Sequence, residues 1–254
     1  MRYADERSHA GVMFVTTPSA PPVPVDQVEA AYAHARAMDA PLADKLRYVA
    51  DAVRAMDAGF ADQVDRFVAR LAAVSAGQSA PGCGEKLPGF MLPDSTGRLV
   101  SLDALLCDGP VAVVFVRGHW CPYCRLNVAD LVSTAATAHP IQLVVIAGET
   151  QAYTAAMADE VGATFPILSD LGHGYALSLN LAIWVDDAMA CLIEQAGWDV
   201  PAYQGQPGWL MPIPSVFVLD RDGMIIERHV DADYRQRFAL EPKLPELKAR
   251  LGLV

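Results

Sequence analysis

A chain of 254 residues that is 53% hydrophobic can bury a sizeable core, enough for one or two domains. Its 30 acidic against 19 basic residues leave a net charge of −11, which argues against a general nucleic-acid surface and against electrostatic binding to anionic membranes. No stretch reaches the roughly 18 apolar residues of a membrane span, the apolar run at 11–15 is too short for a signal-peptide core, and five cysteines, an odd number, fit a reducing compartment; the expectation is a cytoplasmic protein.

In chain order, residues 1–25 carry Pro18, Pro21, Pro22 and Pro24 and read as a flexible arm, or one that lies across a neighbour. Residues 26–79 read as a helical extension. Asp26 is placed to cap a helix to about Met38, and Pro41 to open the next. Leu42, Leu46, Val49, Val53 and Met56 recur at helical spacing, Gly59 interrupts, and Val64, Phe67, Val68, Leu71 and Val74 form a further stripe. Such stripes need cover, from the main domain or from a second copy of the chain, so a homodimer is one expectation. Cys83, between Gly82 and Gly84 in a small-residue linker, reads as an exposed thiol, either incidental or resolving. Phe90, Leu92, Leu99 and Val100 fit short strands about a turn at 94–97. Ser101 is placed to cap a short helix with Cys107 packed at its end.

Residues 111–128, VAVVFVRGHWCPYCRLNV, organise the rest. The valine-rich run at 111–116 is that of a strand buried on both faces. Arg117, Gly118 and His119 break it, and Pro122 suits the first turn of a helix. Cys121 then stands at a helix N-terminus, where free N–H groups and the helix dipole favour the thiolate, the reactive form of cysteine. Cys124, one turn on, is within reach for a disulfide. An exposed thiol that attacks and a shielded one that resolves is the logic of a dithiol oxidoreductase. Half of a zinc site is the competing reading, but Cys83, Cys107 and Cys191 are isolated and the six histidines form no second cluster. No metal or organic cofactor is expected.

Further on, 141–147 is another buried-strand run, 149–161 fits a helix, 165–168 a strand and 172–180 a helix. Residues 181–211, with Trp184, Trp198, Tyr203 and Trp209, read either as a lid near the cysteines or as a peripheral packed insertion. Cys191 falls in a helix there and reads as buried. Strands at 216–219 and 224–227 flank a hairpin turn, Asp220, Arg221, Asp222 and Gly223. Arg228, His229, Asp231 and Asp233 read as a solvated charged surface rather than a site, and 242–251 as a closing helix. Alternating strands and helices predict an α/β fold, a central sheet covered by helices.

The segment FVRGHWCPYC resembles the active-site turn of the thioredoxin superfamily. The wider frame resembles the AhpC/TSA peroxiredoxin-like proteins, in particular a subgroup with an R-G-x-W-C-P-Y-C turn. The stretches EKLPGFMLPDSTGRLVSL, ATFPILSDLGHGYALSLNL and MPIPSVFVLDRDGMI carry the likeness over residues 80–254. The resemblance implies a thioredoxin-like fold with a central mixed sheet and thiol-dependent redox chemistry. It also matches Pro214 to the cis-proline that faces the cysteine pair in thioredoxin-like proteins, while the residues themselves read more plainly as a trans proline starting a strand. Peroxiredoxins hold a proline and a threonine or serine where this chain has Val114 and Gly118, and an activating arginine on the strand where it has Pro214. Thioredoxins hold a buried aspartate where it has Phe115.

Arg117 and Arg125 are candidate stand-ins for anion stabilisation near Cys121, or else solvated or carboxylate-paired charges. His119 is a candidate for tuning the thiolate or moving a proton, and Trp120 a packing platform. The leading expectation is an oxidoreductase acting on a hydroperoxide or a disulfide through Cys121 and Cys124. An external thioredoxin- or glutathione-like thiol would re-reduce the pair. The alternative is a redox-sensing or interaction module without efficient turnover.

Overall fold

The computed structural model describes residues 23–253, so the arm expected at 1–25 lies almost wholly outside the described residues. Three helices come first: α1 (Val25–Ala37), α2 (Leu42–Met56) and α3 (Ala58–Ala73). Pro24, not Asp26, occupies the cap position of α1. Asp26 lies in the first turn, where its charge meets the positive end of the helix dipole. Pro41 precedes α2 as expected. The break before α3 falls at Asp57, whose carboxylate accepts the Phe60 N–H at 3.0 Å, and Gly59 is carried inside the helix. The cap sets that boundary, and the glycine does not.

A small antiparallel pair follows, β1 (Met91–Pro93) and β2 (Leu99–Ser101). Ser101 then caps α4 (Leu102–Asp108), its Oγ accepting the Ala104 N–H at 3.2 Å. The core alternation is β3 (Val111–Val116), α5 (Pro122–Ala138), β4 (Gln142–Ala147), α6 (Gln151–Val161), β5 (Ile167–Ser169) and α7 (Gly174–Ser178). Residues 181–212 form β6 (Ala182–Trp184), α8 (Asp187–Gln195), α9 (Val200–Gln204) and β7 (Leu210–Pro212), with β6 and β7 antiparallel. The hairpin β8 (Ser215–Leu219) and β9 (Ile225–Val230) and the closing helix α10 (Leu244–Arg250) complete the chain.

The main sheet runs β5-β4-β3-β8-β9. Strands β3, β4 and β5 are parallel, and β8 and β9 are antiparallel additions. All six residues of the central strand β3 are buried, which explains its unbroken apolar run. Strand alternation sends Ala112, Val114 and Val116 to one core and Val111, Val113 and Phe115 to the other. The first core also holds Val28, Tyr32, Leu42, Leu46, Val49, Val64 and Phe67. Helices α1 and α2 are covered within the chain by α5, and α3 packs on α2 and α8, while Val74 at the end of its stripe stays exposed.

Two cysteines depart from expectation. Cys107 and Cys191 are both exposed, like Cys83. Helix α4 buries Leu102, and α8 buries a face of Met189, Ala190 and Ile193, so each thiol points off its helix's packed side.

Candidate active site

Strand β3 delivers the chain to the turn, and α5 takes it away. Cys121 is the cap residue of α5, in extended conformation, with Pro122 at the first helical position. The Cys124 and Arg125 N–H groups donate to the Cys121 carbonyl at 3.0 and 3.1 Å, closing the first turn. Cys124 thus lies one turn inside the helix, as the spacing predicts. Both thiols are reduced and fully buried, which corrects the expectation of an exposed attacking cysteine. Trp120, Tyr123 and Arg117 around them are themselves buried, because α2, α3 and the 181–214 insertion build up over the turn.

The sulfurs are held by positive charge. Arg117 Nη2 donates to Cys121 Sγ at 3.1 Å. The Arg117 N–H and Arg237 Nη2 each donate to Cys124 Sγ at 3.3 Å. The Arg117 guanidinium lies 3.6 Å from the centre of the Tyr234 ring and 4.9 Å from that of Trp120, a desolvated cation–π sandwich. Burial would weaken that cation, but the charges of Cys121, Tyr234 and Cys124 raise its pKa above the ordinary arginine range. Neither Arg117 nor Arg237 has a carboxylate partner among the described residues.

The two thiols titrate as one unit. Burial pushes Cys121 well up, and its hydrogen bond to Cys124 adds to this against the Arg117 charge. Burial alone would also raise Cys124. The hydrogen bond from Cys121 and the charges of Arg237 and Arg117 overturn that and hold it well below the ordinary thiol range. In the singly ionised pair the charge is thus favoured on Cys124, with the Cys121 thiol as the hydrogen-bond donor. The helix N-terminus favours charge at the pair, and the two arginines decide where it sits.

Beside the pair lies Glu149, a residue the motif reading passed over. It follows β4 and precedes α6, and it is fully buried. Its Oε2 accepts the His119 N–H at 2.7 Å, while Oε1 has no partner. Burial pushes its pKa up to about 8, against the backbone hydrogen bond from His119, with the Cys124 charge adding to the rise. Two glycines make room there. A Cβ on Gly118, whose φ is 148°, would stand 2.2 Å from Glu149 Oε1, and one on Gly148 would stand 1.9 Å from His173 Cε1. An acidic residue at the carboxyl end of a central parallel strand was the available signal, since sites gather there in open α/β sheets.

The other predicted residues divide. His119 Nε2 meets Glu160 Oε2 at 2.8 Å, so its ring faces a carboxylate and not the sulfurs. Arg125 is carboxylate-paired, to Glu29 of α1 and Glu160 of α6, and stacks on Tyr32 at 4.0 Å. Burial works against the Glu160 carboxylate, but Tyr32, Arg125 and His119 hold its pKa below the usual range. This network ties α1 to the turn. Trp120 packs against Trp198, ring centres 6.3 Å apart. Pro214 borders the same pocket as Trp120, but its peptide bond is trans; the cis bond among the described residues is His139–Pro140. Trans is the lower-energy form even for X-Pro.

The HVDADYRQR stretch reaches the site, sending Tyr234 and Arg237 to the cysteines and Arg235 to Asp65 of α3, while Arg228, His229, Asp231 and Asp233, expected to be a solvated surface, are half-buried. Arg237 is 113 residues from Cys124 in the chain, and no local pattern marked it.

The AhpC/TSA family model matches residues 83–228, more than half of the chain. The chain belongs to the AhpC/TSA family. Among solved structures, peroxidoxin BcpB from Mycobacterium tuberculosis is 23% identical, with 66% of this chain and 96% of that one covered, at a TM-score of 0.50. Reduced Prx3 in complex with hydrogen peroxide from Vibrio vulnificus is 15% identical, with 65% and 99% covered, also at 0.50. These likenesses establish the thioredoxin-like peroxiredoxin fold. Among curated sequences none matches the chain. This AhpC/TSA protein is a peroxiredoxin-like enzyme with a thiol-dependent, peroxidase-like redox role. Helices α1–α3 and the loop with Tyr234 and Arg237 lie outside the matched span.

Proposed function

We propose that the enzyme reduces a hydroperoxide through a Cys121–Cys124 dithiol/disulfide cycle. The observation that carries this reading is the pair of carboxylate-free arginines on two buried sulfurs. They supply the positive field that peroxiredoxins obtain elsewhere, where this chain has Gly118 and Pro214.

The shared proton passes from Cys121 to Cys124, and the Cys121 thiolate attacks the terminal peroxide oxygen. The O–O bond breaks, the leaving alkoxide takes the Cys124 proton as the alcohol, and Cys121 becomes a sulfenic acid. The Cys124 thiolate then attacks the Cys121 sulfur. Hydroxide leaves as water with the proton of Glu149, and the disulfide closes. Two electrons have moved from the dithiol to the peroxide. An external thioredoxin- or glutathione-like thiol returns them, along with the proton of Glu149.

Glu149 acts as the proton store because it is neutral at rest and its free oxygen is buried beside the turn. Disulfide exchange is the second reading, favoured by Gly118 where peroxiredoxins carry a hydroxyl side chain. The full burial of both sulfurs favours the small substrate.

One equivalent of hydroperoxide mixed with the reduced protein should remove two thiols rapidly and lower the intact mass by two hydrogens. Cys121→Ser should abolish the reaction, and Cys124→Ser should stop it at the sulfenic acid. Thiol loss no faster than that of an ordinary cysteine would reject peroxide reduction.

A further inference from the structure

A polar cleft opens between α2, which supplies Ala43, Leu46 and Arg47, and the loop after β9, which supplies Asp233, Arg235 and Arg237. It holds about 820 Å³ of empty space, its open mouth included, a size that suits a small ligand. The three arginines are not equivalent. Arg47 is exposed and paired with Asp44 at 2.8 Å. Arg235 is held by Asp233 at 2.8 Å and by Asp65 of α3 at 2.6 Å. Arg237 has no carboxylate partner among the described residues. Its Nε donates to the Tyr234 carbonyl at 2.8 Å, its Nη2 donates to Cys124 Sγ at 3.3 Å, and its buried Nη1 has no acceptor. Among the described residues, an ionised Cys124 is therefore the counter-charge that this guanidinium touches.

We infer that this cleft binds a small oxyanion, a phosphate or carboxylate compound, and binds it more tightly once Cys121 and Cys124 are joined as a disulfide. The inference rests on the dithiol/disulfide cycle proposed above, whatever the oxidant, and adds a ligand that the cycle controls. Closing the disulfide takes two electrons and the remaining thiol proton from the singly ionised pair, and the oxidant receives them. Both sulfurs are then neutral, and the half-buried Arg237 keeps its full charge with nothing opposite it. A guanidinium presents planar, paired donors that fit phosphate and carboxylate oxygens. Arg47 and Arg235 line the same cleft and add cations beside it. In the reduced protein the Cys124 charge competes with the ligand for Arg237. The coupling is reciprocal, so the bound anion in turn favours the oxidised protein. The device is this chain's own, because α2 and the loop with Arg235 and Arg237 lie outside the family match at 83–228.

The test uses the full chain with the exposed Cys83, Cys107 and Cys191 replaced by serine, so that diamide oxidises the buried pair alone. Inorganic phosphate and S-methylglutathione, a peptide dicarboxylate without a free thiol, are titrated calorimetrically at fixed ionic strength. The pH is one at which thiolate absorbance shows the reduced pair to be singly ionised. At least one of the two should bind the disulfide form at least tenfold more tightly than the reduced form, and the tighter one names the source of the oxyanion. Cys124→Ser in the same background removes the charge without a disulfide, and it should bind as tightly as the oxidised protein. Arg237→Gln should abolish the difference between redox forms. Arg47→Gln, at an exposed position, should weaken binding to the disulfide form about fivefold and serves if the Arg237 variant does not fold. A saturating anion should also lower the midpoint potential of the couple by about 30 mV for each tenfold difference in affinity. Absence of binding, or equal affinity in the reduced, oxidised and Cys124→Ser proteins, would overturn the inference while leaving the dithiol cycle intact. Failure of diamide to remove two thiols, with Cys124→Ser still binding tightly, would instead sink the cycle, and the redox control of the cleft would fall with it.

Discussion

Gly118 and Glu149 compete for one space: a Cβ on Gly118 would stand 2.2 Å from Glu149 Oε1. Gly118 also holds a φ of 148°, which side-chain-bearing residues avoid. Gly118→Ala should therefore displace the carboxyl and strain the turn together, lowering stability by about 2–3 kcal/mol. Urea unfolding would measure it. A loss below about 0.5 kcal/mol would mean that the turn relaxes freely and that Glu149 is not seated as described.

Glu149 makes stability depend on pH. Its folded-state pKa, pushed up to about 8 by burial, exceeds the value of about 4.3 expected in the unfolded chain. The folded protein therefore holds the extra proton between these values. The stabilisation is complete below about pH 4 and is lost as pH rises through 8, at about 1.4 kcal/mol per pH unit between them. Glu149→Gln should flatten this slope and slow disulfide closure. Urea midpoints at several pH values from 5 to 8 would check it; parallel curves for the two proteins would count against a buried neutral carboxyl.

Arg117 is the cation on Cys121. Arg117→Met should raise the first ionisation of the pair and cut alkylation by iodoacetamide at neutral pH by about tenfold for each pKa unit. The ultraviolet absorbance of the thiolate against pH would report the shift directly. An unchanged curve would assign the field to Arg237 and the helix dipole.

Arg125 holds a different place. It joins Glu29 and Glu160 and stacks on Tyr32, at a side chain only 8% exposed. Glu29 is 41% exposed and Glu160 25%, so the pairs are worth less than fully buried ones. Arg125→Met should cost about 2 kcal/mol and open α1 to limited proteolysis. Unaltered cleavage would show that apolar packing alone holds α1.

Thiol accessibility gives a plainer check. Cys83, Cys107 and Cys191 are exposed and Cys121 and Cys124 are buried. A bulky maleimide should label three of the five cysteines in the native reduced protein and all five after unfolding. Rapid native labelling of Cys121 would show that the cover over the turn opens readily.

Much of this protein was legible in one dimension because the deciding physics is local. The run at 111–116 marked a strand buried on both faces, Pro122 marked a helix start, and the spacing of Cys121 and Cys124 placed two sulfurs one turn apart. Asp57 shows a local rule applied to the wrong residue: Gly59 looked like the break, but a side-chain cap two positions earlier made it. For Pro214 the trans reading of the residues held against the cis form that the resemblance implied, since proline makes that isomer accessible without selecting it.

The electrostatics of the site belonged to no local pattern. Whether a buried sulfur carries charge depends on which guanidiniums and carboxyls reach it, and those come from distant segments. Arg117 was in view but read first as a solvated or carboxylate-paired charge, Glu149 looked like the start of a helix, and Arg237 was not singled out. Only folding brings Arg117 and Arg237 to the pair, sets Glu149 against Gly118, and closes α2, α3 and the insertion over Cys121. The sequence by itself determined the dithiol and the sheet that carries it, because periodicity and helix-terminus chemistry act over a few residues. The tertiary structure decided which charges reach the sulfurs and what can approach them, because charge and exclusion of water act through space.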